Sequence, residues 1–349
     1  MYKKLAQTLD KYGACLLTSP HGMRYFSGFT GGEGAVLITQ NGRYVIVDSR
    51  YTGIALGECA EFEVIEFGKV GLLDVIKEKL SGFDTLAFED EYMSFSAYKR
   101  YSSYLKGVEF IPYSREFEKL RMIKTPDELE RIAKAEQIGV EAFEHILGFI
   151  RPGVSENAVA AELEYFMKKN GAEKTSFDTI VVSGEKSALP HGTPSDKPIE
   201  TGDFVTMDFG CVYKGYCSDM TRTIVVGKAS ERQKEIYNIV KTAQQTGLDA
   251  IKAGISGSEA DAKARAVIDD AGYGEYFGHS LGHGVGLLIH ELPNLSPRSD
   301  ITLRENMVVS CEPGIYILGF GGVRIEDLVC VKENGIQNFT KLGKELIEL

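Results

Sequence analysis

The chain has no apolar stretch long enough to cross a bilayer, which excludes a helical membrane span. Its first residues, MYKKLAQTLD, carry no long apolar segment after the lysines, so no signal peptide is expected. Basic residues are in the minority. Lys and Arg number 39 against 50 Asp and Glu, and the net charge of −11 argues against nucleic acid as the main partner. Cysteine is sparse: Cys15, Cys59, Cys211, Cys217, Cys311 and Cys330 show neither a CxxC pair nor a disulfide rhythm. Reduced thiols in a cytoplasmic protein fit that distribution. What remains is an acidic globular chain of 349 residues, too long for one ordinary core, so two domains are expected.

Residues 1–120 alternate short strands and helices, the pattern of an α/β domain. This part holds no cluster of ligands or of nucleophile with base, so a structural or gating role is expected of it. Lys119–Glu128 reads as a linker entering a new helix, with Thr125 as N-cap, Pro126 at the first helical position and Glu128 closing a capping box. Residues 121–349 then run helix pair, acidic hairpin, helix pair, acidic hairpin. That order predicts an α+β domain with internal duplication.

The chemistry lies in those hairpins. Asp208 sits in VTMDFG and Asp219 in YCSDMTRT, and folding about the Tyr213–Lys214 midpoint sets them opposite each other. Glu312 in VSCEPGIY and Glu326 in GVRIEDLV oppose each other about Gly319. Opposed residues share a face with Cβ atoms roughly 5 Å apart, and opposed like charges are unfavourable without a cation. Carboxylates with one imidazole suit Mn²⁺ first, with Co²⁺, Fe²⁺ or Zn²⁺ as alternatives. His283, in GHSLGHGVGL, is assigned to the metal. His279 is four residues away, but the surrounding glycines argue against a helix, and Ser280 stands where HExxH needs its base, so this is no zincin. His191, His279 and His290 are left for substrate. Arg324 shares the face of Glu326, where it can neutralise a carboxylate, bind a ligand or form a structural ion pair. His145 reads as structural, and His21 stays unassigned.

The segments PHGTPS, MDFG, SDMTRT, GHGVGL-x-x-HELP, EPGIY and GVRIED, in this order and spacing, resemble the metallopeptidases with the pita-bread fold. Aminopeptidase P, prolidase and methionine aminopeptidase are members. The first domain resembles the creatinase N-terminal domain, which methionine aminopeptidase lacks. The resemblance implies that Asp208 binds one metal, that Asp219 and Glu326 bridge two, and that His283 and Glu312 bind the other. It also gives His191, His279, His290 and Arg324 to substrate and transition state. It further implies a homodimer and a peptide or dipeptide substrate with proline second.

Two metals supply a nucleophile at neutral pH. His290 is the expected oxyanion donor, and Glu312 the carrier of a proton to the leaving nitrogen. Removal of the residue before proline from peptides is the expected activity. Cleavage of Xaa-Pro dipeptides is the alternative, and a non-catalytic peptide-binding module a third. Bacterial and archaeal prolidases often place an arginine directly after His-Glu-x-Pro. Here Asn294 follows Pro293, and the nearest arginine is Arg298, which weighs against the dipeptidase.

Overall fold

A computed structural model describes all 349 residues, Met1–Leu349. The chain divides into two compact units, Met1–Arg121 and Met122–Leu349. The first is built on six strands: β1 Ala14–Leu17, β2 Ala35–Thr39, β3 Arg43–Val47, β4 Glu63–Glu66, β5 Thr85–Phe88 and β6 Glu109–Pro112. They form one mixed sheet in the order β4-β3-β2-β1-β5-β6. The central strand β1 is buried along its whole length. Its helices are α1 Ala6–Tyr12, α2 Pro20–Ser27, α3 Thr52–Glu58, α4 Leu72–Lys79, α5 Phe95–Tyr104 and α6 Ser114–Met122. The sequence pattern does not show α2, β6 or α6. The segment that reads as a linker from Lys119 is in fact the end of α6, so the non-helical connection is only Ile123–Thr125.

The second unit opens with α7, Pro126–Leu147, and α8, Glu156–Lys169. The capping box on α7 forms as expected: Thr125 Oγ1 accepts from Glu128 N, and Glu128 Oε2 accepts from Thr125 N at 2.8 Å. These helices cover the strands β7 Lys174–Thr175, β8 Ile180–Ser183, β9 Phe204–Phe209, β10 Cys211–Tyr213, β11 Tyr216–Cys217 and β12 Met220–Val225. Met207, Phe209 and Met220 pack with Phe143 and Leu163 of the helix pair in one core cluster. The plan then repeats. α9 Glu231–Ala250 and α10 Gly257–Asp270 precede β13 Gly282–Gly284, β14 Glu291–Leu295, β15 Val308–Cys311, β16 Gly314–Ile317, β17 Gly321–Arg324, β18 Asp327–Lys332 and β19 Gly335–Asn338. The repeat extends to detail, because the serine caps of α8 and α10 each make an isolated bridge, Ser155 to Pro198 and Ser256 to Thr302.

The two acidic hairpins differ from expectation in one respect. The first turns on Lys214 and Gly215, which both adopt positive φ (46° and 83°), so Tyr213 pairs with Tyr216. This two-residue turn moves the hairpin centre along the chain. Asp208 therefore opposes Thr221, not Asp219. The slip is an even number of residues, so face alternation survives, and Asp219 stays on the Asp208 face as a diagonal neighbour. The second hairpin centres on Gly319 as expected: Gly314 pairs with Arg324 and Cys311 with Asp327. Glu312 and Glu326 lie between those pairs, in a gap of the ladder. Their backbones bond elsewhere: Glu326 N donates to Thr221 O at 3.1 Å, and Glu312 N to Leu281 O at 2.8 Å. The gap thus ties the second hairpin to the first and to the histidine segment.

Candidate metal centre

Asp219, His283 and Glu326 bring one donor atom each to within 4.8 Å of one another. His283 Nε2 lies 3.5 Å from Asp219 Oδ2 and 3.3 Å from Glu312 Oε1. Asp208 lines the same cavity as Asp219, His283 and Glu312, and its Oδ2 accepts from Arg324 Nη2 at 2.7 Å. All five residues expected at the site converge. His283 stands on the short strand β13, not on a helix. Close backbone approach explains its glycine neighbours: a Cβ at Gly284 would collide with the carbonyls of Glu291 and Leu292.

Two buried oxygens, Asp208 Oδ1 and Glu326 Oε1, have no hydrogen-bond partner. Buried polar atoms are ordinarily paired. Burial pushes the Asp219 carboxyl well above its usual range, and the charges of Glu326 and Asp208 push it further. Burial raises Glu326 too, with Glu312 and Asp208 adding to it. Burial also acts against ionisation of Glu312, but its bond to His283 and the charges of His283 and His279 prevail and hold it down to about 2. Crowded carboxylates that repel one another, two of them with an unpartnered buried oxygen, fit divalent cations.

The cluster opens into a cavity of about 580 Å³ whose walls include Phe177, Ile180 and Ile289, with His191, His279 and His290 around it. His191 and His290 are exposed. The His290 ring stands edge-on to His283, with centroids 4.4 Å apart, and burial followed by the His283 charge holds it below its usual pKa. His279 Nδ1 donates to Ser280 O at 2.8 Å, which leaves Nε2 to accept from Tyr316 Oη at 2.8 Å. Tyr316 Oη in turn accepts from Arg324 Nη1 at 2.9 Å. Of the three roles open to Arg324, the geometry shows an ion pair with Asp208 made beside the cavity. His145 lies outside the site, bonded to Glu162 and stacked on Phe166.

Three partners go unassigned in the sequence analysis. Tyr316 joins His279 to Arg324. Thr221 donates to Glu326 Oε2 at 2.7 Å and accepts from Arg324 Nε at 3.0 Å. Ser310 donates to Glu312 Oε1 at 3.1 Å and accepts from His283 N. Alternation could have flagged Thr221, two residues after Asp219, and Ser310, two residues before Glu312. Nothing local marks Tyr316.

A duplicated α+β unit that gathers four carboxylates and an imidazole under a histidine-lined cavity defines a metallopeptidase of the pita-bread class. Residues 130–333 match the Metallopeptidase family M24, and residues 3–123 match the Creatinase/Prolidase N-terminal domain. The chain belongs to metallopeptidase family M24. It is 50% identical to the Xaa-Pro dipeptidase from Bacillus anthracis, whose structure superposes with a TM-score of 0.97 over 100% of this chain and 99% of that one. The X-Pro aminopeptidase from Thermotoga maritima is 42% identical, with a TM-score of 0.94 over 100% and 99% of the two chains. The Xaa-Pro dipeptidase of Pyrococcus furiosus is 42% identical over 355 residues, 99% of each chain.

Proposed function

We propose that this protein hydrolyses the peptide bond between an N-terminal residue and a following proline, and that Xaa-Pro dipeptides are its main substrates. The observation that carries the reading is the convergence of Asp208, Asp219, His283, Glu312 and Glu326, with two bare buried oxygens, beneath an apolar-walled cavity. The names of the Bacillus and Pyrococcus relatives support the dipeptide substrate. The Thermotoga relative's name, and Asn294 in the cavity wall where an arginine would favour a dipeptide carboxylate, support the second reading, removal of a residue from longer peptides.

Asp208, Asp219, His283, Glu312 and Glu326 would hold two divalent cations, Mn²⁺ foremost. Such cations, when bound, polarise a carbonyl and make water a nucleophile at neutral pH. The chain's own groups do the rest. Phe177, Ile180 and Ile289 offer apolar walls to a proline ring. The scissile nitrogen of an Xaa-Pro bond has no N–H, so these walls need supply no acceptor for one. His290, kept neutral, donates its ring N–H to the carbonyl oxygen as charge develops there. Glu312, ionised, accepts the proton of the attacking water on its carboxylate and returns it to the proline nitrogen as the bond breaks. The Arg324–Tyr316–His279 chain orients His279 toward the substrate.

Six buried, unpaired cysteines support a cytoplasmic location, and the family resemblance supports a homodimer. An Mn²⁺-supplemented assay tests the reading by comparing an Xaa-Pro dipeptide with an Xaa-Pro tripeptide. Faster turnover of the tripeptide would move the assignment to the aminopeptidase, and cleavage of neither would end it.

A further inference from the structure

The segment Phe277–Leu281 carries His279, and its last carbonyl receives the Glu312 backbone N–H at 2.8 Å. It contains no regular helix or strand. Something outside the segment must hold it. That grip comes from one turn of α10. Asp261 and Arg265, spaced i and i+4, face each other there. Arg265 Nε donates to Asp261 Oδ2 at 2.8 Å, and Nη2 to Asp261 Oδ1 at 3.0 Å. Two further donors of the guanidinium go to the segment: Nη1 to Phe277 O at 2.9 Å and Nη2 to His279 O at 2.7 Å. Asp261 Oδ1 also accepts from Leu281 N at 2.9 Å. The pair thus bonds the segment at its first, third and fifth residues.

Packing follows the same line. The guanidinium lies 4.1 Å from the Phe277 ring centroid, and Phe277 meets His279 edge-on at 5.1 Å. From His279 the hydrogen bonds run on through Tyr316 and Arg324 to Asp208. Only a planar fork with several donors reaches a carboxylate and two carbonyls at once, a task lysine cannot repeat. Asp261 is 1% exposed and Arg265 23%, so the carboxylate is sealed while the guanidinium borders solvent.

We infer that the Asp261–Arg265 pair is a clamp whose job is to position His279 for turnover. Neither residue is a catalytic residue; both act through His279. The inference rests on the peptidase reading for its kinetic arm only.

The test uses the full-length, metal-loaded protein and a Xaa-Pro dipeptide. Arg265→Ala is expected to lower kcat on the order of 10²-fold, the scale of a small misplacement near the reacting centre, with KM little changed. In a His279→Ala background, Arg265→Ala should cost nothing further, because its effect passes through the missing ring. Losses that multiply would overturn the clamp. Millimolar guanidinium should restore much of the Arg265→Ala rate, since the vacated site borders solvent, whereas ammonium should not. No rescue would count against it. Metal content should equal that of wild type, and its loss would show general collapse instead of positioning. Arg265→Lys, which keeps the charge and the fold, should fall well below wild type; full activity in that variant would overturn the clamp. Independently of turnover, the His279 ring signal of labelled protein, assigned by its loss in His279→Ala, should shift in Arg265→Ala and return with guanidinium. If wild type does not cleave Xaa-Pro, the peptidase reading falls, and the ring signal still decides the clamp.

Discussion

Thr221→Val changes one buried hydroxyl to a methyl of nearly the same volume. In the native protein that hydroxyl donates to Glu326 Oε2 at 2.7 Å and accepts from Arg324 Nε at 3.0 Å, with no exposure to water. Valine removes both bonds and admits no replacement. A hydrogen bond to a charged group contributes about 1.5–3 kcal/mol, and a partner that orients a metal ligand typically changes metal affinity about 10–100-fold. That range corresponds to about 1.4–2.8 kcal/mol, so the two figures agree. Thr221→Val should therefore weaken divalent-metal binding about 10–100-fold. It should also destabilise the metal-free protein by about 1–3 kcal/mol, because the Arg324 Nε–H loses its acceptor. Competition against a chromogenic chelator gives the affinity, and denaturant melts of the metal-free protein give the stability. A metal Kd within twofold of wild type, in a protein that still melts cooperatively, would refute the view that Thr221 orients Glu326 as a ligand.

Other outcomes are expected. His283→Ala should lose both metal and activity, whereas His290→Ala should keep its metal and lose kcat on the order of 10²–10³-fold, as for an oxyanion donor; metal analysis beside kinetics separates them, and metal loss in both variants would remove His290 from that role. Burial and mutual repulsion raise Asp219 and Glu326 in the folded metal-free protein. Carboxyls raised on folding contribute stability that is full below their unfolded pKa values, near 4, and is lost as pH rises through the folded ones. Melts of chelated protein should thus show this loss as pH rises above that range, and Glu326→Gln should flatten it. Thr125→Ala removes the cap of α7 and should cost about 0.5–2 kcal/mol in a denaturant melt with metal affinity unchanged.

The parts of the site legible in the sequence are those that a single hairpin encodes. Alternation puts Asp208 and Asp219 on one face, and the midpoint at Gly319 sets Glu312 against Glu326, whatever surrounds them. The same locality explains the one error. Hairpin centre depends on turn type: with Lys214 and Gly215 as a two-residue turn the centre falls between them, one position beyond the Tyr213–Lys214 midpoint, so Asp208 pairs with Thr221. In the first unit, α2, β6 and α6 are short, at 8, 4 and 9 residues, so each offers few positions from which a pattern can be read.

By itself, the sequence indicated the helix starts of the second unit, the strand faces and the duplicated order, and it put forward five candidate donors, because caps, alternation and short motifs are read from neighbouring residues. Only the tertiary structure decided how the donors are held. Thr221 reaches Glu326 across 105 residues of chain, and Tyr316 links His279 to Arg324 by meeting both from β16. Such bonds form where hairpins and loops distant in sequence pack together, and no local pattern specifies which hydroxyl will stand beside which acid.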